Sequence, residues 1–259
     1  MTTAPSSPSP DNGYGREFAG FYDRLFPSDH NAEATAETLA SWHPGGDLPS
    51  LELGVGTGRV ALPLARRTGT VVGVDSSPEM LERLHAKLDT PDAPPVVPVL
   101  ADIRGHADER RYGLVYCVCA TLSMLLNPAD QRTALTRAAE RLVPGGTLVV
   151  ETHNPGPVLD LHEGRRRASF FTPYPDPPGS GLLTCSVVEP ESRLWQASQI
   201  WFEGGGSLVG TELSRLTTPE EVDDHAAAAG LLPVGRFSDW LGTPYAPDSP
   251  MFVTRYRVS

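Results

Sequence analysis

The chain has 259 residues, 39% hydrophobic and 20% charged, enough for one large domain or a domain carrying an insertion, and too apolar for wholesale disorder. Its net charge is −11, from 21 Lys and Arg against 32 Asp and Glu, the wrong sign for a protein that must neutralise nucleic-acid phosphates. The three cysteines, Cys117, Cys119 and Cys185, form neither a disulfide framework nor a zinc knuckle and fit a reducing, cytoplasmic setting.

Residues 1–13 lack the basic and apolar regions of a signal peptide, and no run of about 18 apolar residues follows, so a floppy tail is expected and a membrane span is not. Over 14–49, a helical cap is expected: Phe18, Phe21, Tyr22, Leu25 and Phe26 recur at helical spacing, and 33–42 reads as a second short helix. Five short runs rich in Val and Leu, at 50–53, 71–74, 96–100, 114–119 and 147–152, read as strands buried on both faces with helices between them. Ser77-Pro78 and Asn127-Pro128 are helix openings, and Gly145-Gly146 reads as the stop of the helix that carries Leu135, Ala138 and Leu142.

Proline marks the loops, and the Pro- and Gly-rich stretch 155–180 is expected to be a mobile lid. Three alternating segments, 182–189, 194–202 and 207–216, read as an antiparallel meander. Thr218-Pro219-Glu220-Glu221 is a capping box for a helix that stops at Gly230, and strands follow at 231–237 and 251–258. The expected fold class is α/β: a doubly wound, mostly parallel seven-stranded sheet with helices on both faces, plus an antiparallel β insertion after strand five. The domain would run over 14–259, with the core at 50–152, the lid loop and insertion at 155–217 and the last core elements at 218–259.

The segment Leu51-Glu52-Leu53-Gly54-Val55-Gly56-Thr57-Gly58-Arg59 follows a strand and opens a helix, where a glycine-rich turn lets backbone approach a nucleotide-like ligand. Arg59 stands where the dinucleotide fingerprint requires Gly or Ala, and no Lys-Ser or Lys-Thr follows the glycines, which disfavours both NAD and ATP. Asp75, at the end of the second strand, can accept both hydroxyls of a ribose, and Asp102, after the third, lies where an adenine amino group would come. The plainer alternative is that each aspartate caps the element after it.

Through ELGVGTGR, VVGVDSSPEML, LADIR, YGLVYCVCATLSMLL and RLVPGGTLVVE, in that order, the chain resembles the class I (Rossmann-like) S-adenosylmethionine (SAM)-dependent methyltransferases over about 14–259. The resemblance implies that Gly54, Gly56 and Gly58 hold the methionine part of SAM, that Glu52 opens the loop motif, that Asp75 holds the ribose, and that Asp102 and Ile103 hold the adenine. Ser76, Met80 and Cys119 belong to the same expected cofactor site. The order of an aromatic N-terminal helix pair, an antiparallel insertion and a late Thr-Pro-Glu-Glu helix is similar to that of bacterial small-molecule methyltransferases of secondary metabolism, with amino-sugar N-methyltransferases as the nearest analogy.

Methyl transfer from a sulfonium is an in-line displacement in which the protein chiefly orients the reactants and excludes water. The walls of such a site are expected at 120–127 and 153–157, beyond the carboxyl ends of the middle strands. His153 could serve there as a general base or merely orient the loop. Tyr14 and Tyr22 could close over the donor or be packing aromatics, and Thr121, Ser123 and Asn154 are candidate substrate contacts. No histidine spacing suits a metal, and Arg165-Arg166-Arg167 reads as a solvated charge run rather than a lid for an anionic substrate.

The expected function is transfer of the SAM methyl to N, O or C of a small metabolite, with S-adenosylhomocysteine as the product. The alternatives are a SAM-binding protein that catalyses a cyclisation or rearrangement without methyl loss, a binding protein without turnover, and a nicotinamide-dependent reductase. The expected partner is the small-molecule acceptor, with no nucleic acid and no membrane; a homodimer is compatible with the sequence.

Overall fold

The computed structural model describes residues 14–26, 30–174 and 179–258; the tail expected over 1–13 and part of the expected lid loop lie outside the described residues. Two short helices, α1 (Tyr14–Phe18) and α2 (Tyr22–Leu25), precede α3 (His30–Trp42). Then β1 (Ser50–Leu53), α4 (Ala61–Thr68), β2 (Val71–Asp75), α5 (Pro78–Leu88), β3 (Val96–Leu100), β4 (Tyr112–Cys117), α6 (Pro128–Arg141) and β5 (Leu142–His153) alternate along the chain. After an excursion, α8 (Pro219–Ala228), β10 (Leu231–Phe237) and β11 (Met251–Val258) return to the same sheet. Its order is β10-β11-β5-β4-β1-β2-β3, parallel except at β11, which runs antiparallel to both β5 and β10.

The sheet has a core on each face. Leu51, Leu53, Val115 and Leu148 pack with Leu135, Ala138, Val222 and Ala226 of α6 and α8. On the other face, Val71, Leu114 and Tyr116 pack with Leu39, Leu64 and Leu84 of α3, α4 and α5. Local chemistry sets the helix starts: Ser77 accepts the Met80 N–H, Asn127 accepts the Ala129 N–H, and Thr218 forms a reciprocal box with Glu221. The helix before β5 does not stop at Gly145-Gly146. It ends at Arg141, and the glycines lie inside β5, where the pairing with β4 shifts between Leu142 and Thr147.

The excursion carries four strands rather than three: β6 (Arg167–Tyr174), β7 (Ser180–Glu189), β8 (Leu194–Glu203) and β9 (Gly206–Arg215), in that spatial order and all antiparallel. The stretch read as a lid loop instead contains α7 (Pro155–Leu161) and β6. Strand β6 is paired along its length with β7 but is mostly exposed, so its residues show none of the apolar alternation that betrays a half-buried strand.

Helix α1 lies between this second sheet and the start of α5. A Cβ on Gly15 would fall 2.0 Å from the Ser77 hydroxyl, and one on Gly210 of β9 would fall 2.6 Å from the Phe18 ring. Glu17 accepts the Thr211 N–H at 2.7 Å, and Arg24 pairs with Glu203. The first helices thereby tie the insertion to the nucleotide-loop edge of the main sheet. Among the described residues, no helix is long and apolar enough to cross a membrane.

Candidate active site

The parallel strands end together at Leu53, Asp75, Leu100, Cys117 and His153, and the strand order reverses at β1, between β4 and β2, where open α/β sheets form ligand crevices. The turn after β1 enters that crevice. Gly54 has φ +81, and a Cβ there would lie 2.4 Å from the Thr121 side chain, so only glycine lets β1 and the 3-10 turn Thr121–Met124 approach this closely. Gly56 has φ +53 and nothing within 4 Å of the Cβ position, leaving space beside it for a ligand.

Asp75 joins the loop to the end of β2. Its Oδ2 accepts the Gly56 N–H at 2.8 Å and its Oδ1 accepts the Ser77 N–H at 2.9 Å, with exposed Ser76 between them in sequence. Burial raises the carboxyl above its ordinary value while these backbone bonds favour the charged form. The side chain therefore caps the neighbouring turn, yet a carboxylate has about four acceptor sites, and the capping bonds leave capacity for a hydroxyl donor.

Arg59, which the sequence singled out only as an obstacle to NAD, reaches into this crevice. Its Nη2 donates to the Cys119 Sγ at 2.7 Å, its charge is felt by the nearby Tyr22 hydroxyl, and Nε is buried with no partner among the described residues. Cys119 and Ala120 adopt left-handed backbone conformations, φ 54 and 60, a strain of order 1–3 kcal/mol per residue that clusters at functional sites. Glu151 holds this turn by accepting the Cys119 N–H at 2.8 Å, and its other oxygen accepts the Trp240 indole N–H at 2.7 Å. Burial pushes the Cys119 thiol up to about 12, so it sits in the crevice as a neutral group. Glu52 is buried beneath the loop, accepts the Tyr116 hydroxyl at 3.0 Å, and is pushed up to about 8 by burial.

Tyr14 and Tyr22 reach this cluster from α1 and α2. Burial raises both phenols, and each also feels the Cys119 thiol; Tyr14 further feels Asp75, and Tyr22 feels Glu52. Asp23 accepts the Thr57 hydroxyl at 2.6 Å and Lys87 Nζ at 2.9 Å, clamping α2 onto the glycine loop. Met80 is buried with Phe18, Phe21, Leu25 and Trp201, so it supports α1 from below.

The adenine end differs from expectation in detail. Both Asp102 oxygens are engaged by Arg104, through its backbone N–H at 2.8 Å and its guanidinium at 2.5 to 3.1 Å, which holds the carboxyl below the usual range. An adenine amino group would compete with Arg104 for that carboxylate. Ile103 is buried in the core beside it.

The expected acceptor residues separate. Thr121 packs on Gly54 at the crevice, with its hydroxyl donating to the Val118 carbonyl. Ser123 is buried and bonded to Thr152, and Asn154 is buried with its amide donating to the Pro247 and Ser249 carbonyls at 2.8 and 2.9 Å; both side chains are spent on the scaffold. His153 packs edge-on against Trp195 at 5.1 Å, and burial pushes its pKa down to about 4, a neutral imidazole and a feeble base near pH 7. Arg165, Arg166 and Arg167 are exposed, with Arg165 and Arg166 paired to Glu163 and Glu189. Among the described residues, no cluster of His, Cys, Asp or Glu could hold a metal ion.

A methyltransferase-domain family model matches residues 51–146. The chain is 33% identical to the CcbJ methyltransferase of Streptomyces caelestis, with a TM-score of 0.82 over 95% of this chain and 98% of that one. It is 30% identical over 155 residues to a dTDP-3-amino-3,6-dideoxy-alpha-D-glucopyranose N,N-dimethyltransferase of Streptomyces fradiae, a match that spans 58% of this chain and 59% of that protein. A carboxy-S-adenosyl-L-methionine synthase of Klebsiella pneumoniae is 26% identical over 222 residues, 77% of this chain and 89% of that protein. The glycine loop with free space beside Gly56, the ribose-compatible Asp75 and the orphaned Arg59 Nε fit an amino-acid nucleoside. The chain belongs to the SAM-dependent methyltransferases.

Proposed function

We propose that this chain transfers the methyl group of SAM to an amine nitrogen of a small metabolite of natural-product metabolism, releasing S-adenosylhomocysteine, and that it does so in the cytoplasm without a metal. The bound SAM supplies an electrophilic methyl group on a cationic sulfur. The space beside Gly56 and its neighbours would hold the methionine part, Asp75 the ribose, and the buried Arg59 guanidinium an anionic end of the ligand.

The observation that carries the reading is the roof. Tyr14 and Phe18 of α1 stack on each other, Phe18 packs on Gly210 of the second sheet and Gly15 packs on Ser77 just after β2, so aromatic side chains of the same chain lie over the nucleotide-loop edge, which supports a small molecule rather than a polymer as the acceptor. The negative charge of the chain and the printed activity of the Streptomyces fradiae relative support a small amine acceptor.

The test incubates the protein with methyl-labelled SAM and a library of small amines, alcohols and carbon acids. Labelled methylamine product with stoichiometric S-adenosylhomocysteine is expected. Conversion of SAM with its methyl group retained, or binding without turnover across the library, would overturn the reading.

A further inference from the structure

The second sheet turns an unusual face to the crevice. Across β8 and β9, Trp195 pairs with Ser214, Ala197 with Glu212 and Gln199 with Gly210; across β7 and β8, Ser186 pairs with Ala197 and Thr184 with Gln199. Directly paired residues of antiparallel strands share a face. This is the buried one, since Ala197, Trp195, Thr184, Ser186 and Ser214 are all nearly inaccessible. Gly210 lies on it directly beneath Phe18, and Tyr14 stacks on Phe18 at 4.4 Å. Glu212, two residues on from Gly210, thus stands where α1, the second sheet and the crevice meet.

The Glu212 side chain makes no hydrogen bond or ion pair among the described residues, and its charge is felt by the Tyr14 hydroxyl. Diagonally beside it, the Gln199 Oε1 is buried with no partner. The buried Gln199 oxygen is costly to leave unpaired, and a ligand that supplies N–H groups would satisfy it and the neighbouring Glu212 carboxylate together. Burial alone pushes the Glu212 carboxyl up to about 7, in the range where a carboxylate can take and release a proton at working pH.

Resting on the amine reading above, we propose that Glu212 is a catalytic residue that accepts the proton of the acceptor ammonium, while the Gln199 carbonyl oxygen accepts a second N–H and aims the nitrogen. The ammonium N–H proton passes to a Glu212 carboxylate oxygen, freeing the nitrogen lone pair. That pair forms the bond to the donor methyl carbon as the carbon–sulfur bond breaks and leaves its electrons on sulfur. The charges balance: sulfonium, ammonium and carboxylate become thioether, methylammonium and carboxylic acid. The titratable groups around Glu212 are Tyr14 from α1, with Tyr22, Cys119 and Asp75 behind it, His153 packed on Trp195 from the end of β5, and His162, whose Nε2 lies 3.1 Å from the Ser186 hydroxyl.

The test uses the full chain saturated with S-adenosylhomocysteine and ligand-observed NMR titration of small amines, each with its hydroxyl analogue. Glu212→Gln should weaken the amines at least tenfold and leave the alcohols and S-adenosylhomocysteine affinity unchanged. With amines that turn over, wild-type kcat should rise with pH through neutrality; Glu212→Gln should lower kcat by about a hundredfold and flatten that rise, and Glu212→Asp should restore part of both. Equal amine binding by wild type and Glu212→Gln, no amine binding to wild type, or an unchanged pH profile would overturn the assignment. Failure of the SAM reading is seen separately, as loss of S-adenosylhomocysteine binding by the wild type.

Discussion

The Oδ2 atom of Asp75 accepts the backbone N–H of Gly56 at 2.8 Å, so one carboxylate both shapes the tip of the glycine loop and faces the crevice that the loop borders. Asp75→Ala removes the capping bonds and the ribose contact together. SAM affinity measured by calorimetry should fall by more than tenfold, about 1.4 kcal/mol or more. An unchanged affinity would take Asp75 out of the site.

Gly56→Ala separates backbone strain from ligand space. A left-handed alanine costs about 1–2 kcal/mol, to be read as a modest loss in thermal stability. No protein atom lies within 4 Å of the new methyl, so the chain itself has room for it. The methionine part of SAM would not, and affinity should drop at least tenfold; full affinity would mean that the ligand does not lie against Gly56.

Most of the main sheet was legible because its strands are short Val- and Leu-rich runs between capped helices, and Ser77, Asn127 and Thr218 cap as their neighbours require. The pieces that escaped had no local signature. β6 is an exposed edge strand whose order comes from pairing with β7, a non-local contact. Gly145-Gly146 resembles a helix stop but serves the register shift in β5. In the site, the glycines and Asp75 stand in a recognisable order, whereas Arg59 gains its place only when Cys119 and Tyr22 are folded against it. Glu212 is a lone acid on a strand whose inner face becomes evident only from its pairing with Ala197.

Asn154 distinguishes scaffold from substrate contact. Its amide ties the start of α7 to the Pro247 and Ser249 carbonyls, so Asn154→Ala should destabilise the protein by about 1–3 kcal/mol in denaturant titration by leaving buried acceptors unpaired. The KM for the acceptor should stay within about twofold, well under 1.4 kcal/mol. A large KM change at unaltered stability would assign Asn154 to the acceptor instead.

His153 gives a pH signature. Its pKa is pushed down to about 4 in the folded chain, against about 6.5 unfolded. Between these values the unfolded chain binds more protons, so this contribution to stability is present above about 6.5 and is lost as pH falls toward about 4. Melting temperatures over that window should fall less steeply for His153→Gln than for wild type. Parallel curves would mean that the imidazole is not held neutral by burial.

The central claim concerns what the crevice between β1, β2 and the roof of α1 holds, and a crystal structure with S-adenosylhomocysteine tests it most directly. The ribose hydroxyls should lie within hydrogen-bond distance of Asp75, the amino-acid end against Gly56, and the sulfur should face the space in front of Glu212. A crevice left empty at saturating ligand, or one that instead takes up a dinucleotide with its diphosphate across the glycine loop, would contradict the account.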